Sequence, residues 1–167
     1  MTLSLHALTV PPLVRALKAL SALLAKAEDS AKARGFDPAN LLSARLAPDM
    51  FALTRQVQIV SDGAKGGAAR LAGVEAPSFP DTETSFAELH QRIDNTIAFL
   101  ESLDPVKFDG DPDRPLTLKM GGQEFTFTAL SFLQTFVLPN LYFHVSTAYA
   151  ILRHNGVPVG KRDYLGA

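Results

Sequence analysis

Asn140 and His144 stand four residues apart in the mostly apolar run Pro139-Asn-Leu-Tyr-Phe-His-Val-Ser-Thr-Ala-Tyr-Ala-Ile-Leu-Arg-His-Asn-Gly156. Residues four apart are about one helical turn apart, so the spacing predicts both on one face, the inner wall of a helical bundle. An imidazole there could ligate a metal, anchor a ligand or move a proton. Zinc and similar ions want about three or more N, O or S donors, and Asn is a poor one. The plainer reading is a single buried histidine, hydrogen bonded to a neighbour. Gln56 would need a polar partner if it pointed inward, and His144 or Tyr142 could supply it. Asp49 follows Pro48, so its carboxylate reads as a first-turn group favoured by free backbone N–H donors; it could instead face the interior near His144. Tyr142 and Tyr149, seven apart on one face, read as amphipathic packing residues at an interface or core edge. Asn140, His144, Gln56, Asp49 and Tyr142 are the candidate pocket, with no catalytic role assigned and no metal expected.

The other candidates have simpler readings. Arg153 and His154 fall in a last helical turn, where cations are favoured. His90 is expected to be exposed, and His6 is uninformative. The chain has no cysteine, which removes disulfides, thiolate metal sites and a cysteine nucleophile. Neither a phosphate-binding glycine loop after a strand, nor Gly-x-Ser-x-Gly, nor His-Glu-x-x-His occurs.

Helices must position these residues. Val10, Leu13, Leu17, Leu20 and Leu24 predict a first helix over most of 4–34, started or kinked by Pro11-Pro12 and ended at Gly35. Asp37-Pro38 starts a short helical segment to about 43. Pro48 marks the expected start of a second long helix over 48–71, with Met50, Leu53, Val57, Val60 and Ala64 buried. Gly63, Gly66 and Gly67 weaken its second half but allow another helix close. Ser85 with Glu88 is a capping box for a third helix ending near 103. Alternation about Gly121-Gly122 predicts a β-hairpin over about 116–128. Thr128 then caps a last helix to about 154, kinked near Pro139. The expectation is one all-α domain over 1–167, a four-helix bundle with a small β-hairpin inserted before the last long helix.

With 167 residues, 47% hydrophobic, the chain can bury one sizeable core. A formal net charge of -1 with scattered basic residues argues against nucleic acid or an anionic membrane as partner. The first residues lack a signal-peptide pattern, and no run approaches about 20 uninterrupted apolar residues. A cytoplasmic protein is expected.

Several runs closely resemble a bacterial family, domain of unknown function 1993, within the DinB/YfiT-like superfamily. They are Arg45-Leu-Ala-Pro-Asp-Met-Phe51, Pro139-Asn-Leu-Tyr-Phe-His144, Ala148-Tyr-Ala-Ile-Leu-Arg-His154, Gly156-Val157, Gly160-Lys161 and Asp163-Tyr164-Leu165. The resemblance implies a four-helix bundle, often dimeric. Many superfamily members bind a divalent metal through one His on the second helix and a His-x-x-x-His pair on the fourth. Some resemble thiol-dependent transferases or isomerases. His144, Arg153 and Gly156 fit the spacing of such members, but Asn140 replaces the first His of the pair, and 48–71 contains no His. The resemblance therefore implies a degenerate site, with no cofactor expected. Two readings stay open. One is a metal-free bundle that binds a small molecule or acts as a homodimeric interaction module. The other is a thiol-linked or acid–base enzyme built around His144.

Overall fold

The computed structural model describes residues 4–166; Met1–Leu3, on which part of the signal-peptide reading rests, and Ala167 lie outside them. Helix α1 (Leu5–Ala33) starts where Ser4 Oγ accepts from the Ala7 N–H at 3.1 Å. It runs through Pro11 and Pro12 rather than starting there. Neither proline has an N–H, so the carbonyls of Ala7 and Leu8 lose their helical donors. Leu13, Leu17, Leu20 and Leu24 have no exposed surface. By length and composition alone α1 could cross a membrane; the structure uses these leucines as the core stripe of a bundle.

Asp37 caps the short α2 (Ala39–Leu42). Helix α3 (Leu53–Ala72) then starts five residues later than the sequence suggests. Pro48 does not open it. Met50 N–H donates to Ala47 O, which makes 47–50 a turn with proline at its second position, a place its fixed φ suits. The chain re-enters a helix only where Leu53 N–H reaches back to Ala44 O.

Helix α4 (Phe86–Glu101) has the expected capping box. Ser85 Oγ accepts from Glu88 N–H at 3.2 Å, and Glu88 Oε2 accepts from Ser85 N–H at 3.0 Å. Strands β1 (Pro115–Met120) and β2 (Gln123–Thr128) form an antiparallel hairpin closed by Met120 opposite Gln123. Gly121 and Gly122 take φ of 56° and 78°, the left-handed values that such a two-residue turn requires.

The last long helix is continuous but not uniform. Helix α5 (Ala129–Phe132) passes through one π-helical turn, Leu133–Val137, into α6 (Leu138–His154). Pro139 cannot donate to the carbonyl four residues back, and the wider turn absorbs that mismatch where a kink was expected. Leu138 N–H donates five residues back, to Leu133 O. The same turn brings α3 and the last helix close: a methyl group added at Gly67 would lie 2.8 Å from Val137 Cγ1. A short α7 (Lys161–Leu165) lies against α1.

Helices α1, α3, α4 and α5–α6 surround one connected core. Both α1 and α3 pack against α4 and α6. The result is an all-α bundle with the hairpin before its last long helix.

Candidate functional site

His144 reaches from α6 to α3. Its Nδ1 lies 2.8 Å from Gln56 Oε1. The Gln56 amide is fixed by its other end, since Nε2 donates to Phe51 O at 3.1 Å. Oε1 therefore faces the ring, and neutral His144 donates from Nδ1, leaving Nε2 with a bare lone pair. Gln56 is 2% exposed, so this pair satisfies a buried amide. Burial pushes the His144 pKa below its ordinary value, and the nearby Arg55 cation pushes it the same way. Both effects favour the neutral ring. Phe143 presents its ring to His144 edge-on, with centroids 5.0 Å apart.

The other candidates do not converge there. Asn140 is exposed rather than on the inner wall. Four residues overshoot a full turn by about 40°, enough for two positions on one side of a helix to straddle a seam. Asn140 falls on the solvent side and donates from Nδ2 to its own helix, at Phe136 O, 2.7 Å away. Asp49 is exposed in the 47–50 turn, so it neither caps α3 nor faces His144. Tyr142 points outward, 42% exposed, while Tyr149 is half-buried edge-on against Tyr164. Gln56, His144, Arg55 and Phe51 are what the fold assembles. Arg55 and Phe51 carried no periodicity signal; Phe51 was visible only inside the motif at 45–51.

The carboxylates gather elsewhere, on the α3–α4 side. Arg92, 3% exposed, donates to Glu83 at 2.8 Å, to Asp62 at 2.7 Å and to the Pro80 carbonyl at 3.1 Å, and Asp81 lies 3.0 Å away. Lys65 pairs with Asp62 at 2.8 Å, and both cations lie against the Phe79 ring. Arg55 pairs with Asp81, which links this cluster to the His144 side. Burial alone would raise the Glu83 pKa, but hydrogen bonds from Arg92 and Gln58 hold it below the usual carboxylate range. These groups neutralise one another.

His90 is not exposed as expected but half-buried between α1 and α4. Ser21 Oγ lies 2.8 Å from its Nδ1, and Glu28 Oε2 lies 3.5 Å from its Nε2. The order resembles a nucleophile–base–acid relay. Ser21 sits mid-helix, however, where backbone N–H groups are already spent and offer no oxyanion donors. The relay ties α1 to α4.

Comparison with known proteins follows from this geometry. The family model described as domain of unknown function (DUF1993) matches residues 5–165. The chain belongs to the DUF1993 family. A crystal structure of a DinB family member protein from Shewanella denitrificans shares 45% identity and superposes with a TM-score of 0.90, over 98% of this chain and 92% of that one. No curated protein matches.

Superfamily resemblance implies a divalent ion held by a second-helix His and a His-x-x-x-His pair. The residues of this DUF1993 chain do not fit one. Opposite His144 stands an amide whose oxygen already accepts from Nδ1, and the Asn140 amide is turned into its own helix. One imidazole and two amides are a weak donor set. Among the described residues no three His, Asp or Glu side chains converge into a metal-holding group.

Proposed function

We propose that this chain is a metal-free DinB-like binding module that self-associates through the outer face of α6, with His144 and Gln56 holding that face to α3. One observation carries the reading. Leu46, Phe51, Tyr142 and Phe143 are 39%, 57%, 42% and 58% exposed. Leu46, Tyr142 and Phe143 line one shallow groove with Pro139. The Phe51 backbone is tied to the same seam, since its carbonyl accepts from the Gln56 amide that pairs with His144. Single exposed apolar residues need no explanation, whereas a cluster of large ones marks an interaction surface. Phe86, 3% exposed, belongs to the core and takes no part in that face.

Acid–base chemistry has less support, because it needs converging titratable groups and His144 meets an amide and an aromatic edge. The proposal takes the chain as cytoplasmic; burial of the α1 leucines supports α1 as a core helix of the bundle and not a membrane span.

Light scattering on the full chain tests self-association. A dimer is expected, with Phe143→Ser and Leu46→Ser together giving a folded monomer. A wild-type monomer at every concentration would overturn the proposal.

A further inference from the structure

We propose a second site: the cleft between α1, α6 and α7, which meets the α6 face at Tyr142, binds a small amphipathic carboxylate. The cleft encloses about 410 Å³, within the range of small-molecule sites. Pro11, Pro12 and Val145 give it apolar walls, and Tyr142 and Tyr164 add rings at its edge.

Arg15 supplies the charge. It is the cation lining this cleft, and it has no carboxylate partner among the described residues. Neighbouring charges are already paired: Lys18 with Glu101 at 3.3 Å, and Asp163 with Lys26. Arg15 instead donates Nε and Nη2 to the Leu165 carbonyl, at 3.1 and 2.7 Å. That fixes the guanidinium at the cleft and leaves Nη1 without a partner among the described residues. A held, unpaired guanidinium beside an apolar cavity matches an anion carried on an apolar body. Tyr164 OH accepts from Ser146 at 3.0 Å, whereas Tyr142 OH has no side-chain or backbone partner among the described residues and is available to the bound oxygen atoms.

The chain provides its own reporter. It has no tryptophan and three tyrosines, two of which, Tyr142 and Tyr164, line the cleft. The experiment titrates octanoate and, separately, octan-1-ol into the full chain and follows tyrosine fluorescence. Octanoate is expected to saturate at one molecule per chain and to bind at least tenfold more tightly than octan-1-ol. Arg15→Gln should lose at least tenfold, and Arg15→Lys should recover part of that. The comparison of the two probes on wild-type protein needs no variant, so it survives if Arg15→Gln loosens α7. Absence of saturable octanoate binding, equal affinity for octan-1-ol, or octanoate binding that survives Arg15→Gln would overturn the proposal.

Discussion

Helix α3 carries two contrasting seams. Toward α4 it presents Asp62 and Lys65 to the buried Arg92, and the loop before α4 adds Asp81 and Glu83. Toward α6 it presents Gln56 to His144, a neutral pair beside exposed aromatics. The first seam has many charges, nearly all partnered. The second has few polar atoms and an open apolar border. The charged seam pairs its charges internally and leaves Arg92 Nε as its one unpartnered buried atom among the described residues, while the sparse seam borders exposed apolar surface.

The largest effect expected from this contrast is at Arg92. Arg92→Met would leave buried Glu83 with the Gln58 amide but no cation, and would leave Asp62 and Asp81 with Lys65 and Arg55 alone. Breaking a fully buried pair costs about 3–5 kcal/mol. Asp62 and Asp81 are 39% and 40% exposed, so solvent screening should lower the loss to about 2–4 kcal/mol. Urea denaturation would measure it, and a loss no greater than that of His144→Ala would break the contrast.

Gly67→Ala tests the close approach on which the second seam depends. The methyl clash with Val137 should outweigh the better helix propensity, for a net loss of about 1–2 kcal/mol. Val137→Ala in the same chain should recover most of it. Gly63→Ala meets nothing within 4 Å and should be neutral or stabilising.

His144→Ala should cost about 1–2 kcal/mol, because the buried Gln56 oxygen loses its donor. The pH dependence sharpens this. The His144 pKa in the folded state is depressed from its ordinary 6.5. On acidification the unfolded chain takes up the proton first. The stability contributed by neutral His144 is full above about pH 6.5 and is lost as pH falls from there through the folded pKa. His144→Gln should remove that part of the profile in melts between pH 5 and 8.

Much of the fold was legible because its signals are local. The Ser85–Glu88 capping box, the leucine spacing of α1 and the Gly121-Gly122 turn each lie within a few residues and act through backbone geometry. The start of α3 misled because Pro48 suits a turn as well as a helix N-terminus, and the choice was made by the distant bond of Leu53 to Ala44. The site was legible only in part. His144 with Gln56 could be named as a possible pair, since a buried amide needs a partner. The outward turn of Asn140 could not, because it depends on where the seam falls across α6. Arg92 was invisible for a similar reason: its partners come from α3 and a loop, and nothing in the spacing brings them together.

The central claim is that His144 makes a neutral hydrogen-bonded tie where the superfamily resemblance implies a metal centre. The most direct test is the imidazole nitrogen NMR spectrum of His144 at neutral pH, before and after one equivalent of zinc. The account predicts a neutral ring protonated on Nδ1, unmoved by the metal. A ring that shifts to a zinc-bound state at one equivalent would contradict it.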